Sequence, residues 1–411
     1  MPTFLPPGTG TRVYQSARYF NALEKTPIPG RRNAAYAIAS HRTPSRMPPH
    51  PFRDSGPLAG DGAALRERLA QDGYLYLKGL LDPAPLEAVR QQMLGVLRAD
   101  GWVHGDDERA NDAAFCVEPE PTYCSTYAKI YELQAMHTMP HSADILDVIE
   151  RVLDAPATVQ PSVITRIIFP GHEEMTTPPH QDFIFIQGSS DVLTAWIPYA
   201  DTEETGGLGL YAGSHNSGLR KYEVALGAGA LSVQGGAADE PGFTYSPMQQ
   251  GDVLLFHSHT IHRGVANGSD RLRISADVRY QRRSEPMAET AFSPHLGHAD
   301  WATVYQNWPT KDHQYFWKDL EIEKLAYDRT LFVERDEQAI LLAEQGDARA
   351  LSALQRLVGT KQGTGNSSEV VDKVQALLRK LEGEGGAVDT RGTSHMARLL
   401  VTHWQAPGSK L

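Results

Sequence analysis

The chain has 411 residues, of which 41% are hydrophobic and 22% are charged, and its formal net charge is −11. No stretch approaches the run of about 18 apolar residues that a membrane-spanning helix needs, and the first residues show no apolar segment behind a basic start. We therefore expect a cytoplasmic protein without a membrane partner. An acidic balance without a block of Lys and Arg argues against nucleic acid, and two cysteines are too few for a disulfide framework. A small molecule is the expected partner.

The sequence pattern divides the chain into three predicted segments. Residues 1–60 are rich in Pro, Gly and Arg without a helical or strand period, which predicts an irregular arm. Residues 61–290 carry leading helices followed by strands, and residues 291–411 are mainly helical. The middle segment is the expected folded core, and the last one is a carboxyl-terminal extension.

The leading helices have clear start and stop signals. An amphipathic helix begins near Ala63 and is expected to end at Gly73, followed by a short strand over residues 74–78. Asp82 before two prolines predicts the start of a second helix. A further helix is predicted over residues 142–153, where apolar residues recur at helical spacing.

Residues 159–280 are dominated by strand patterns. Breaks containing Gly, Pro, Asn or Asp separate the runs SVITRIIF, FIFIQ, VLTAWIPY, DVLLFH and RISADVRY. Short strands at this spacing after leading helices predict a mainly β fold, a sandwich or barrel with flanking helices. Asn267-Gly268 is the dipeptide that best suits a two-residue hairpin turn.

The extension contains two features with alternative interpretations. Helices are predicted over residues 331–357 and 369–381, and the second has one apolar stripe. This stripe packs on the same chain or forms a subunit contact, so a homodimer through the carboxyl-terminal helices is one candidate assembly. An aromatic cluster at residues 301–317 is either a lid over a pocket or packing of the extension on the core.

His180 and Asp182 are the first candidates for metal chemistry. They follow Pro178-Pro179 at a predicted strand start, and residues i and i+2 of a strand project to the same face. An imidazole and a carboxylate in this arrangement can bind one ion together.

His262, between an apolar strand and the Asn267-Gly268 turn, is the candidate third ligand. Two histidines and one carboxylate on one face of an ion leave the opposite positions open, which is typical of non-heme Fe(II) oxygenases. His257 and His259 compete with His262 on residue type alone, and a regular strand would turn them to the face opposite His262.

The far side of the turn favours His262. A simple two-residue loop at Asn267-Gly268 would set Arg273 opposite His262, where a guanidinium can bind a carboxylate through two parallel hydrogen bonds. Ser275 would share the face of Arg273. Alternatively, the two strands diverge into different sheets, and the pairing is lost while both side chains still point inward.

Together these residues resemble a known family. The order His180-x-Asp182, His262 and Arg273, with GDVLLFH leading into the second histidine, is similar to the Fe(II)- and 2-oxoglutarate-dependent dioxygenases of the phytanoyl-CoA dioxygenase family. The segments QDGYLYLKGLLD, AWIPYADTEETGGLGLYAGSH and HRGVANGSDRLR add to the resemblance, which covers about residues 63–280. It implies a double-stranded β-helix, the jelly-roll core that cupins share, with His180, Asp182 and His262 holding Fe(II).

The resemblance also implies a co-substrate site. Arg273 would bind the distal carboxylate of 2-oxoglutarate, and Ser275 resembles the serine of the family's Arg-x-Ser pair. Further co-substrate contacts implied by the resemblance come from Trp196, Thr165 and Lys129. Some members carry a serine two residues after the distal histidine, where this chain has Gly264.

The leading hypothesis is therefore a dioxygenase that uses Fe(II), 2-oxoglutarate and O2 to hydroxylate a C–H bond of a small-molecule metabolite, releasing succinate and CO2. A non-catalytic, cupin-like metal or ligand-binding protein is the alternative, although it has no need for Arg273 and Ser275. A zinc hydrolase with the same ligands is a third hypothesis, but the sequence shows no HExxH-type motif.

Overall fold

The computed structural model describes residues 51–105, 108–118, 120–202, 207–234, 242–297, 299–359 and 368–384. The chain divides into two compact units, Met1–Met47 and Pro48–Leu411, and every residue described below belongs to the second. The predicted arm lies almost wholly outside the described residues. The predicted boundaries at residues 61 and 291 stay predictions.

The secondary structure begins with helices and continues with strands. The helices in chain order are α1 (Gly62–Asp72), α2 (Pro83–Ala99), α3 (Pro121–Tyr131), α4 (Gln134–Thr138), α5 (Ala143–Leu153), α6 (Phe183–Ile186), α7 (Trp301–Tyr305), α8 (Thr330–Glu344), α9 (Leu351–Gly359) and α10 (Ser368–Glu384). The strands in chain order are β1 (Tyr74–Leu77), β2 (Val103–His104), β3 (Arg109–Ala110), β4 (Ala157–Val159), β5 (Ile164–Ile168), β6 (Leu193–Pro198), β7 (Leu208–Tyr211), β8 (Tyr222–Val224), β9 (Leu231–Val233), β10 (Phe243–Thr244), β11 (Val253–His257), β12 (His262–Gly264), β13 (Arg273–Arg282), β14 (Met287–Ala288) and β15 (Lys324–Leu325).

The leading helices follow their local signals. Helix α1 ends at Gly73, which adopts the left-handed conformation at φ 76° that a residue without a Cβ enters easily. The Asp82 side chain accepts a hydrogen bond from the Ala84 amide and begins α2. Helix α5 buries its apolar face, so the three predicted helices of this part are confirmed.

The major sheet is antiparallel and six-stranded, in the order β1-β11-β6-β13-β4 with β5 also paired to β13. Its side chains alternate between two environments. Ile274, Ala276 and Val278 of β13 belong to the apolar core shared with the helices, whereas Arg273, Ser275 and Asp277 line a cavity on the opposite face. The sheet therefore separates a helix-covered core from the cavity.

A minor sheet in the order β10-β7-β12 faces the major sheet across this cavity. Leu210 of β7 packs in one apolar cluster with Trp196, Leu254 and Phe256 of the major sheet. The two facing antiparallel sheets, with helices behind one of them, form the predicted jelly-roll fold.

Two local predictions in the strand region are wrong. The first is the two-residue hairpin at Asn267-Gly268, because β12 pairs with β7, and β13 pairs with β5 and β6. The two strands therefore enter different sheets, as the stated alternative expects: Arg273 does not stand opposite His262, although both residues line the cavity. Neither residue of Asn267-Gly268 has a positive φ. The Asn267 side chain instead donates to the carbonyls of Ile168 and Arg271 and anchors an open connection.

The second error concerns the segment FIFIQ, which forms the single-turn helix α6 and not a strand. His180 forms an isolated antiparallel bridge with His262, and the chain turns into α6 at Asp182. The neighbour between the two, Gln181, is fully buried and is held by the carbonyls of Gly218 and His259. The predicted strand would have placed His180 and Asp182 on one face. In the structure, the bridge at His180 and the turn into α6 at Asp182 bring the two side chains together instead.

The described part of the extension is helical and packs on the same chain. Val374 and Leu378 of α10 are buried in one cluster with α8, α9 and the β8–β9 ribbon. The apolar stripe of α10 thus packs within its own chain, and the homodimer stays a prediction. Trp301, Tyr305 and Trp308 lie in the main core beside Tyr131, so the aromatic cluster packs the extension on the core. Across the described residues, no helix has the length and apolarity required to cross a membrane.

Candidate active site

The cavity between the two sheets has an empty volume of about 540 Å³. Its wall combines charged side chains with apolar ones, as small-molecule sites do. The lining residues on which the site depends are Arg166, His180, Asp182, Thr194, Trp196, Phe256, His262, Arg273, Ser275 and Asp277.

Three buried side chains converge at one end of the cavity. Asp182 Oδ1 lies 3.5 Å from His180 Nε2 and 3.6 Å from His262 Nε2. The backbones of His180 and His262 exchange two hydrogen bonds of 2.8 and 2.9 Å, which fixes the separation of the two imidazoles. Among the described residues, this is the group of His, Cys, Asp or Glu side chains whose ligand atoms lie close enough to hold one metal ion.

Backbone carbonyls set the orientation of both imidazoles. His180 Nδ1 lies 2.8 Å from the Pro178 carbonyl oxygen, and His262 Nδ1 lies 3.0 Å from that of Thr260. A carbonyl accepts only, so each Nδ1 carries a proton, and Nε2 is the nitrogen directed at a metal. Burial and the neighbouring His180 lower the pKa of His262 to about 3, which keeps this ring neutral.

The Asp182 carboxylate is held through its second oxygen. Asp182 Oδ2 accepts a hydrogen bond of 2.6 Å from the Thr194 hydroxyl and one of 3.3 Å from Arg279 Nη2. Burial alone would raise the pKa of this carboxyl, but the Arg279 guanidinium holds the pKa well below its usual value. Asp182 is therefore ionised, with Oδ1 directed at the imidazole nitrogens.

The inner face of β13 carries charge along its whole length. Arg273, Ser275, Asp277 and Arg279 alternate with apolar residues and so share one face. The Arg273 guanidinium donates to the carbonyls of Val265 and Ala266 at 2.7 and 3.4 Å. No carboxylate of the described residues pairs with it, and burial lowers its pKa to about 10. Arg273 thus offers an uncompensated positive charge to the cavity.

The structure does not bring every predicted residue to the cavity. Trp196 and Ser275 line it, but Thr165 lies on the other face of β5, where its hydroxyl contacts the Met136 sulfur at 3.0 Å. Lys129 is about half exposed on α3 and pairs with Asp100 at 2.6 Å. The structure thus places neither Thr165 nor Lys129 in the cavity lining, and their co-substrate contacts stay predictions.

The competition among the histidines is resolved by their positions. His257 and His259 are outside the cavity lining, and the backbone amide of His259 donates to His257 Nδ1. His262 is the one that meets His180 and Asp182.

Sequence reasoning missed two residues that hold Asp182. Arg279 has the same strand parity as Arg273 and Ser275, and that parity is the sequence signal that places it on the same strand face. Thr194 carries no distinctive sequence signal, because its contact with Asp182 depends on the turn into α6.

Two neutral imidazoles and one carboxylate on one side of a common point are a suitable donor set for Fe(II), with positions left open for other ligands. The fold and this donor set define the class, a jelly-roll protein with a two-histidine, one-carboxylate centre. Residues 69–275 match the profile of the phytanoyl-CoA dioxygenase (PhyH) family, and the chain belongs to that family.

Curated relatives agree with this assignment. The chain is 32% identical over 264 residues to the 1-deoxypentalenic acid 11-beta-hydroxylase of Streptomyces exfoliatus, an alignment that covers 59% of this chain and 89% of that protein. It is 23% identical over 251 residues to the phytanoyl-CoA dioxygenase domain-containing protein 1 of Danio rerio, covering 50% and 85%. The predictions of an oxidoreductase and of iron with 2-oxoglutarate are confirmed at the level of the family.

Solved structures resemble the chain more distantly. The epimerase SnoN in complex with Fe3+, alpha ketoglutarate and nogalamycin RO is 20% identical, with a TM-score of 0.41, and the match covers 56% of this chain and 86% of SnoN. The non-heme monooxygenase ThoJ is 19% identical, with a TM-score of 0.41, covering 71% and 99%.

Proposed function

We propose that His180, Asp182 and His262 bind Fe(II) and that Arg273, with Ser275, binds the distal carboxylate of 2-oxoglutarate. In this role the chain is a dioxygenase that hydroxylates a C–H bond of a small-molecule metabolite. Support for the metal part comes from the converging Nε2, Nε2 and Oδ1 atoms, each fixed by a contact of its own.

The observation that carries the co-substrate assignment is the state of Arg273. A part-buried guanidinium without a carboxylate partner among the described residues is costly, and an anionic ligand offsets that cost. Arg273 lines the same cavity as the three metal-binding candidates, and Ser275 follows it on the same strand face. A dicarboxylate can therefore reach the metal end and the guanidinium within one cavity.

Fe(II) with 2-oxoglutarate and O2 supplies the hydroxylation, in which decarboxylation yields succinate and CO2. The protein's contribution is to hold and orient the reactants. The carbonyl-bound imidazoles fix two donor atoms, Thr194 and Arg279 fix the carboxylate, and Trp196 with Phe256 supplies an apolar wall that limits water.

A small-molecule substrate suits a cavity whose wall combines a few charged side chains with apolar ones. The relative named as a 1-deoxypentalenic acid hydroxylase also supports a compact metabolite as the substrate. This proposal also includes a cytoplasmic location and the absence of nucleic acid partners. Both parts rest on the amino-acid composition of the chain.

The test is anaerobic addition of Fe(II) and then 2-oxoglutarate to the metal-free protein. We expect the weak visible charge-transfer band of a chelated keto acid, followed by succinate release when air is admitted. The Asp182→Ala variant should give neither signal. Binding of Fe(II) by the native protein without a band on adding 2-oxoglutarate would favour the non-catalytic metal-binding alternative.

A further inference from the structure

A chain of ion pairs connects the carboxyl-terminal extension with the cavity wall. Arg356 Nη2, on α9, donates to Glu118 Oε1 at 2.8 Å, and Glu118 Oε2 lies 3.5 Å from Arg166 Nη1. Arg166 Nε in turn donates to Asp277 Oδ2 at 3.1 Å, and both of these residues line the cavity. Arg356 lies outside the residues that match the family profile.

Arg166 is the member of this chain that is most open to a ligand. Its side chain is 26% exposed, against 12% for Asp277 and for Glu118 and 16% for Arg356. Its contacts with Asp277 and Glu118 use Nε and Nη1, and Arg166 also lines the cavity. Because these side chains are largely removed from water, their charges are weakly screened.

Glu118 is shared between the two arginines but is closer to Arg356. The shorter contact with Arg356 satisfies the carboxylate, so Glu118 binds Arg166 only loosely. Burial opposes ionisation of Glu118, but Arg356 and Arg166 lower its pKa to about 2, and the carboxylate stays charged. His295 is kept neutral because burial lowers its pKa to about 3. The formal charges of Arg356, Glu118, Arg166 and Asp277 therefore sum to zero.

We propose that Arg166 binds an anionic group of the substrate, such as a carboxylate, and that Arg356 and Glu118 are positioning residues that keep Arg166 available for it. This inference rests on the proposed function and adds the substrate class: a small molecule with one negative charge near the cavity wall. It also gives the extension a role in substrate binding, because removal of Arg356 leaves Glu118 free to neutralise Arg166.

The test uses the full chain loaded with Fe(II) and saturated with 2-oxoglutarate under nitrogen. The probes are cyclohexanecarboxylate and cyclohexanecarboxamide, which differ in charge and little in shape, and calorimetric titration gives both dissociation constants. The native protein should bind the carboxylate about tenfold more tightly than the amide, and Arg166→Gln should abolish this preference.

The positioning residues have opposite expected effects. Arg356→Gln leaves the four ion-paired residues with a net charge of −1 and should reduce the preference for the carboxylate over the amide about tenfold. Glu118→Gln should retain or increase that preference. The double variant is neutral again and should recover most of the native preference. Arg349→Gln, a change at an exposed arginine in the same part of the chain, is the matched control and should have no effect.

A purely structural role would make both single variants lose binding, with no recovery in the double variant, and that result would overturn the positioning role. A native protein that binds the amide as well as the carboxylate, or binds neither, would overturn the substrate class. The charge-transfer band of the chelated keto acid distinguishes failure of this inference from failure of the proposed function. If the band forms but the protein shows no preference for the carboxylate, this inference fails and the proposed function stands.

Discussion

The two ends of the cavity are organised differently. At the metal end each donor group is already fixed by the protein, the imidazoles by carbonyls and Asp182 by Thr194 and Arg279. At the other end Arg273 contacts only two carbonyl oxygens and has no carboxylate partner among the described residues. The metal end is preorganised before a ligand binds. The Arg273 end keeps a positive charge that an anionic ligand can neutralise.

The largest effect is expected from removing a donor at the metal end. Asp182→Ala leaves two imidazoles and an unpaired Arg279, so Fe(II) affinity should fall by more than about a hundredfold, and turnover with it. Equilibrium dialysis against Fe(II) under nitrogen measures the loss. Asp191→Ala, at a carboxylate that is 53% exposed, is the control. Retained Fe(II) binding in Asp182→Ala would contradict the metal assignment.

The next largest effect is expected at the Arg273 end of the cavity, and it should be independent of metal binding. Arg273→Ala should weaken 2-oxoglutarate binding about ten- to a hundredfold, because charged hydrogen bonds of this kind contribute about 1.5–3 kcal/mol, while Fe(II) affinity is unchanged. Titrating the keto acid band gives the co-substrate affinity. Arg273→Lys keeps the charge and should recover part of it. If Arg273→Ala bound 2-oxoglutarate like the native protein, the co-substrate assignment would be wrong.

A smaller effect tests whether the metal end is fixed in advance. Thr194→Val removes the hydroxyl that donates to Asp182 Oδ2 and should lower Fe(II) affinity about tenfold, the scale for groups that orient metal ligands. Thr165→Val makes the same change on the helix side of the major sheet and should leave Fe(II) affinity unchanged. Equal affinities in the two variants would mean that Asp182 does not depend on Thr194.

The smallest effect is expected at Lys129. Its ion pair with Asp100 is largely exposed, so Lys129→Ala should lower the free energy of unfolding by less than about 1 kcal/mol. The affinity for 2-oxoglutarate should not change. Urea unfolding and the band titration check both points, and weaker co-substrate binding would place Lys129 at the site after all.

Sequence patterns predicted the elements whose signals are local. The cap at Asp82, the left-handed Gly73 and the alternation along β13 depend on neighbouring residues, and the structure contains all three. The same alternation places Arg273 and Ser275 on the cavity side, so the charged strand face could be predicted.

The two wrong predictions concern segments whose conformation depends on contacts with residues distant in the sequence. Asn267-Gly268 has the sequence of a tight turn, but β12 pairs with β7 and β13 pairs with β5. FIFIQ is a short apolar run like that of a buried strand, yet the buried Gln181 ties the chain to Gly218 and His259 just before it turns into α6. Neither outcome is encoded in the segment itself, and the contact between Thr194 and Asp182 follows from the second.

The most direct test of the account is an anaerobic crystal structure of the protein with Fe(II) and 2-oxoglutarate. Anomalous scattering at the iron edge should place the metal between His180 Nε2, His262 Nε2 and Asp182 Oδ1, with the distal carboxylate of 2-oxoglutarate on Arg273. Iron at another position, or that carboxylate on Arg166 with Arg273 free, would contradict the assignment of the two ends.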